Sequence, residues 1–226
     1  GTPTFFIELL RKYHVQPSDI TDFESMAVDF DTPVETMTTL VPLLYQSGYI
    51  TIKDCNLKRH RYRLGIPNTE VRTGLMSSLI PDYISKDTVR VNSTAEEMAY
   101  RMGEDRIDDA LRLLQSFLLT IPYCDNASSE GHYQQMLYVI FSLVGQYHYI
   151  DVEVRTPTGR VDMVMRTDKA LYLFELKINK SAAAAMKQID LKDYPARFAM
   201  CGLPIVKVGI NFDADKRTIG DWKLTS

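Results

Sequence analysis

The run Leu171-Tyr172-Leu173-Phe174-Glu175-Leu176-Lys177 sets a carboxylate and an ammonium two residues apart in an otherwise apolar stretch. Side chains alternate across a strand, so Glu175 and Lys177 leave one face while Phe174 and Leu176 turn toward a core on the other. Burying either charge alone is costly, so the pair needs each other, a metal or an open cleft. The preceding strand-like stretch supplies Asp162, flanked by Val161, Met163, Val164 and Met165. If the two strands form a hairpin, Asp162 lies beside Glu175, and two close carboxylates repel unless a cation sits between them. A hard divalent ion, Mg²⁺ or Mn²⁺, is the natural occupant. Such an ion polarises a phosphate and acidifies a bound water. Lys177 would orient or help deprotonate the attacking water, or stabilise charge developing on phosphorus.

The flanking patterns supply elements able to hold these groups. Residues 130–145 predict a helix with Met136, Leu137, Ile140 and Val144 on its apolar side. Strands are expected at Tyr149–Arg155, Val161–Met165 and Leu171–Ile178, the first two joined by a Pro157-Thr158-Gly159 turn. An alanine-rich helix, Ala182–Leu191, and a strand, Ile205–Ile210, complete a compact α/β unit. The loop Cys124–Ser129 marks its near boundary. Upstream, helices are expected at 4–14 (Phe5, Phe6, Leu9 and Leu10 at helical spacing) and at 33–47, from Pro33 to just before Gly48. A hairpin follows, with Tyr49–Ile52 and Tyr62–Leu64 as strands and a polar turn between them. Two helices and a hairpin outline a winged-helix module. The stretch 67–92 is placed only loosely. Thr94 and Glu97 read as a capping box for a helix through about Met102, and Ile107, Leu111, Leu114 and Leu118 form the stripe of another.

Gly159-Arg160-Val161-Asp162, a short gap, then Phe174-Glu175-Leu176-Lys177 resembles the Asp…Glu-x-Lys signature of the PD-(D/E)XK nuclease superfamily. The resemblance implies a further Glu on the helix before the strands, which Glu130 matches. It also implies a Gln on the helix after them with a Tyr beyond it, matched by Gln188 and, at a longer gap, by Tyr194. Gly1-Thr2-Pro3, Gly48-Tyr49-Ile50-Thr51-Ile52 and Pro67-Asn68-Thr69-Glu70-Val71 are similar to the region behind the ATPase core of prokaryotic AAA-ATPase-like proteins, which carry such a nuclease domain at their C-terminus. No Walker-type phosphate loop occurs in the chain. The chain therefore reads as the C-terminal part of a longer protein. Its expected fold class is α/β (α+β), with a winged-helix-like region at 1–85, a helical connector at 86–124 and a restriction-endonuclease-like domain with a central mixed sheet at 125–226.

The implied function is a Mg²⁺- or Mn²⁺-dependent nuclease with DNA as the expected substrate. Asp162 and Glu175 bind the ion, Glu130 completes or orients the site, Lys177 positions the nucleophile, and Gln188 holds the substrate or Lys177. The alternative is a binding module that kept the nuclease fold, without cutting, to recognise nucleic acid or a protein partner. An isolated Glu-x-Lys is usually a surface ion pair; the ordered company of Glu130, Asp162 and Gln188 is what lifts this one above that reading.

Residues 53–64 hold Lys53, Lys58, Arg59, Arg61 and Arg63 against Asp54, a local charge of +4 that leaves −7 for the rest. This basic wing contacts phosphates, stands as a solvated hairpin tip, or docks on the ATPase core. Lys187 is a further candidate for nucleic-acid contact. His132, two residues after Glu130, is a candidate supporting group, whereas His148 and Trp222 read as structural and Tyr133 as a core residue. Net charge is −3 over 226 residues, with 45% hydrophobic and 24% charged, which excludes a disordered chain and a protein that coats nucleic acid by bulk charge. Cys55, Cys124 and Cys201 lack metal-ligand spacing and point to free thiols in a reducing cytoplasm. No apolar run reaches the roughly 20 residues of a membrane span.

Overall fold

The computed structural model describes residues 4–30, 40–121, 130–147, 149–156 and 159–225, excepting the side chains of 4–6, 11, 130–131, 149–156 and 159–161. The chain divides into two compact units, Gly1–Leu79 and Ile80–Ser226.

The first unit begins with α1 (Thr4–Lys12), where Ile7 and Leu10 are buried and Leu9 half-buried. Strand β1 (Phe23–Met26) follows, then α2 (Val41–Gln46), β2 (Thr51–Asn56), β3 (Arg61–Gly65) and α3 (Thr69–Tyr83), whose last turn enters the second unit. The helix expected over 33–47 is described only from residue 40, where Leu40 caps α2 and Pro42 sits in its first turn. Proline suits that turn because its missing N–H has no partner there anyway. The expected hairpin forms between β2 and β3, but a third strand joins it. Strand β1 pairs antiparallel with β3, giving the order β1-β3-β2. A bulge between Ile52 and Asp54 takes Lys53 out of the ladder, and its ammonium donates to the Pro67 carbonyl at 2.8 Å.

The second unit opens with α4 (Thr88–Gly103) and α5 (Ile107–Leu118). The capping box expected at Thr94 is not a helix start: α4 begins six residues earlier, where the Asp87 carboxylate accepts from Arg90 N at 3.1 Å. Thr94 instead lies inside the helix and donates its hydroxyl to the Arg90 carbonyl at 2.9 Å. Ile107, Leu111, Leu114 and Leu118 are buried, as their spacing predicts. The stretch 86–124, expected as a connector, falls with the second unit; within it α4 packs on α5 and on α6 (Glu130–Val144).

Strands β4 (Tyr149–Thr156), β5 (Gly159–Arg166) and β6 (Leu171–Ile178) form an antiparallel meander. Helix α7 (Ala182–Leu191) and short α8 (Tyr194–Phe198) then cross to β7 (Ile205–Asp213), which runs parallel to β6. Strand β8 (Thr218–Thr225) closes a five-stranded mixed sheet in the order β4-β5-β6-β7-β8. A parallel step needs a crossover of this length, and an amphipathic helix is its usual form. Helices α7 and α8 cover one face: Ile189 and Tyr194 bury against Val164, Leu171 and Leu173. On the other face Tyr133 of α6 packs on Phe212 at 4.8 Å between ring centroids. Strand β8 was not anticipated, because Gly220 and the exposed Asp221 and Lys223 hide its alternation. It is held to α5 by Gln115, which donates to the Ile219 carbonyl, and by Thr218, which donates to the Gln115 carbonyl, both at 2.7 Å. Trp222 belongs to that seam, donating to Asp108 at 2.7 Å under the Arg112 guanidinium. Cys55 and Cys201 are free thiols. Cys124, the 124–129 boundary loop, His148 and the Pro157-Thr158 turn lie outside the described residues. Among the described residues no helix is long and apolar enough to cross a membrane.

Candidate active site

Strands β5 and β6 pair in register from Arg166↔Leu171 to Met163↔Phe174. The ladder ends there, one residue short of Asp162 on β5 and of Glu175 on β6. Beyond it the Asp162 carboxylate itself accepts from Leu176 N at 2.7 Å. Val164 and Leu173, cross-strand partners, both face α7. By the period of two, Asp162, Glu175 and Lys177 share that face. The apolar neighbours Val164, Leu171, Leu173 and Phe174 are buried, so the charged groups sit at the end of a closed core.

Glu175 is 1% exposed. Its Oε1 accepts two hydrogen bonds, from Lys177 Nζ at 2.7 Å and from the side-chain amide of Gln188. Its Oε2 is equally buried and accepts none. Burial pushes the carboxyl up to about 7, and the charge of Asp162 adds to the rise, against the opposing pull of Lys177. A buried carboxylate with one bare oxygen beside a second carboxylate lacks positive charge, and one ammonium does not satisfy it. This donor set suits a hard cation with oxygen ligands: Asp162 and Glu175 are the described groups that would hold it. Among the described residues no three His, Cys, Asp or Glu side chains cluster as a metal site, and the Glu130 side chain is outside the description.

Gln188 reaches Glu175 because α7 lies unusually close to the sheet. Gly209, the β7 partner of Glu175, faces the helix so tightly that a Cβ there would come within 2.6 Å of the Ala182 carbonyl oxygen and 3.0 Å of Met186 N. Ala182 and Ala185 are fully buried, as tight helix packing requires. The Gln188 side-chain amide donates to Glu175 and so joins the Glu175–Lys177 group. Lys187 is exposed one residue before it. Glu130 is the first residue of α6. One turn on, Tyr133 packs over Phe212, which pairs with Ile178 just beyond Lys177. The helix thus starts at the Glu175–Lys177 end of the sheet. Tyr194 is buried in the core cluster with Leu173 and Ile189. His132 is half-buried and stacked on Tyr83 at 5.7 Å; burial lowers its basicity, opposed by a backbone hydrogen bond at Tyr83.

In the first unit Lys58, Arg59, Arg61 and Arg63 are all exposed. Residues 57–59 form a short 3₁₀ turn capped by Asn56, with His60 closing it in a left-handed conformation at φ 48°. Arg61 pairs with Glu24 at 3.2 Å, and Arg63 stands in register between Glu24 and Asp54. Strand β1 therefore brings an acid to this hairpin that the linear charge count did not include. Lys58 and Arg59, at the tip, have no acid opposite them in the ladder.

Sequence reasoning missed Gly209, Asn211 and Asp221. The one available signal was Gly209 itself, a glycine inside the apolar run Ile205–Phe212.

Residues 128–222 match the family model described as the PD-(D/E)XK nuclease superfamily. The chain also aligns over its full length with an uncharacterized protein in the vnfD 5′ region of Azotobacter chroococcum mcd 1, at 29% identity over 240 residues. It spans only 45% of that relative's length. No solved structure matches it. Residues 128–222 are thus a PD-(D/E)XK nuclease superfamily domain.

Proposed function

We propose that residues 125–226 are a divalent-metal-dependent phosphodiesterase domain acting on DNA, in the C-terminal part of an AAA-ATPase-like protein. The observation that carries this reading is the bare, buried Oε2 of Glu175 on the face shared with Asp162, beside an ammonium that cannot itself ligate a cation. A divalent ion bound there supplies Lewis-acid polarisation of the phosphodiester and acidification of a water. Asp162 and Glu175 hold it, with Glu130 as the third carboxylate from the start of α6. Gln188 occupies the other oxygen of Glu175 and fixes its rotamer. Lys177 is 18% exposed, close enough to solvent to meet a phosphate or orient the attacking water. That the relative is more than twice as long as this chain accords with an ATPase portion elsewhere in such a protein. Residues 1–85 act in this reading as a winged-helix-like module, with Lys58 and Arg59 at the tip of its wing.

The test is cleavage of plasmid and linear DNA by the purified chain with Mn²⁺, with Mg²⁺ and with chelator, beside Lys177→Ala. Metal-dependent cutting that Lys177→Ala abolishes is expected. Cleavage unaffected by Lys177→Ala would overturn the site assignment. Absence of cutting in every condition, with the ATPase portion also supplied, would leave a binding module.

A further inference from the structure

Two residues beyond Gly209, on the same face of β7, Asn211 is 8% exposed and pairs in register with Lys177 on one side and Asp221 on the other. Its side chain is used at both ends. Asn211 Oδ1 accepts from Lys180 N at 2.9 Å, and Nδ2 donates to Asp221 Oδ1 at 2.9 Å. The second oxygen of Asp221 accepts from Ala182 N at 3.0 Å. Ser181 adds the ordinary cap, accepting from Ala184 N at 3.1 Å. The first turn of α7 is therefore tied to β7 and β8 by side chains, and its next turn rests on Gly209, where a Cβ has no room. Helix rotation and depth are both fixed before the chain reaches Gln188, the residue whose amide meets Glu175.

We propose that Asn211 and Asp221 are positioning residues for the Glu175 site: they set α7 so that Gln188 donates to Glu175 Oε1 and leaves Oε2 for a cation. The cation clause rests on the metal-dependent reading above; the positioning clause rests on the hydrogen bonds alone. A merely structural clamp would stabilise the helix without governing the Gln188–Glu175 contact. The chemistry allows a rescue that separates the two. Asp221→Asn leaves one hydrogen bond of the bridge unmade, because an amide offers one acceptor oxygen where two are needed. Asn211→Asp sets two carboxylates against each other. Exchanging both residues restores every bond: an aspartate at 211 accepts from Lys180 N and from the exchanged amide, whose oxygen accepts from Ala182 N. Asp221 is exposed, so Asp221→Asn alters no core packing.

The experiment follows the ¹H–¹⁵N resonances of the Gln188 side-chain amide, assigned by their loss in Gln188→Met, together with calorimetric Mn²⁺ titration of the full chain. In Asp221→Asn and in Asn211→Asp the Gln188 amide is expected to move toward its solvent-exposed position, and Mn²⁺ affinity to fall about tenfold, the scale for losing a group that orients a ligand. The exchanged double variant should recover both. In a Gln188→Met background Asp221→Asn should cause no further loss of Mn²⁺ affinity, because its effect passes through Gln188. An unmoved Gln188 amide in both folded single variants, or a full additional loss in the Gln188→Met background, would overturn the proposal. If the unmutated chain binds no Mn²⁺, the metal reading fails separately, and the amide resonances alone decide the positioning role.

Discussion

The two charged regions of this protein differ in how their charges are answered. The hairpin at 53–64 carries the larger count, but its charged side chains are in water, and Arg61 is met by Glu24, 37 residues before it in the chain. The Asp162–Glu175–Lys177 group is smaller, yet Glu175 is 1% exposed and one of its oxygens is unanswered. Counting charges along the chain ranks the hairpin first; the dielectric ranks the buried group first, since a charge removed from water interacts far more strongly with its neighbours. Stored electrostatic demand, not charge density, marks the candidate site.

The largest effect that would sharpen this contrast is on turnover. Lys177→Ala should lower the cleavage rate about a hundredfold or more, the scale for losing one preorganised donor. Mn²⁺ affinity should hold or rise in that variant, as a neighbouring positive charge has gone. Asp162→Ala should instead lose metal binding and cleavage together. If Lys177→Ala weakens metal binding as much as Asp162→Ala does, the two roles are not separate.

Stability gives the next contrast. Without metal, Lys177→Met removes the ammonium that pairs with Glu175 and should cost about 1–3 kcal/mol by denaturant unfolding. Arg61→Met breaks a pair that is roughly half exposed on both sides and should stay within about 0.5 kcal/mol. Equal costs would erase the distinction drawn between the regions.

A pH dependence follows from the raised carboxyl. Between 4.5 and about 7 the folded chain keeps a proton on Glu175 that the unfolded chain has released. The native state then binds more protons than the unfolded state, so metal-free stability should fall as pH rises through that window. Glu175→Gln should remove this component of the slope, seen by urea unfolding from pH 4.5 to 7.5. A metal-free slope identical in the two proteins would contradict the assigned burial.

The smallest effect concerns the wing. Lys58→Glu with Arg59→Glu should weaken DNA binding and flatten its salt dependence, whereas Arg61→Glu should do so less, since that guanidinium already faces Glu24. Fluorescence anisotropy across a salt series reads this directly, and equal effects would return Arg61 to the contact surface.

Much of the second unit was legible because local pattern and tertiary demand agree there. The 171–178 run is a strand at both levels, the buried stripe from Ile107 to Leu118 has one period, and the alanines of α7 announce close packing. Asp162, Glu175 and Lys177 could be brought together because strand alternation fixes their directions; Gln188 came only with the family resemblance, since nothing in the local pattern of α7 points it at Glu175. What stayed hidden depends on distant partners. Strand β1 is four residues long and shows its role only when paired to β3. Strand β8 has an exposed outer edge, and Asn211 and Asp221 become a bridge only once β7, β8 and α7 meet. Thr94 misled because a capping pair is equally at home inside a helix when its hydroxyl turns back to the carbonyl four residues earlier.

If the bare oxygen of Glu175 is a cation seat, calorimetric Mn²⁺ titration of the unmutated chain beside Glu175→Gln will reveal it. Saturable binding of one ion by the unmutated chain, weakened at least tenfold by Glu175→Gln, which removes a charge while keeping the side chain's shape, is the predicted result. Binding of equal strength in both proteins, or no binding in the unmutated chain, would contradict it.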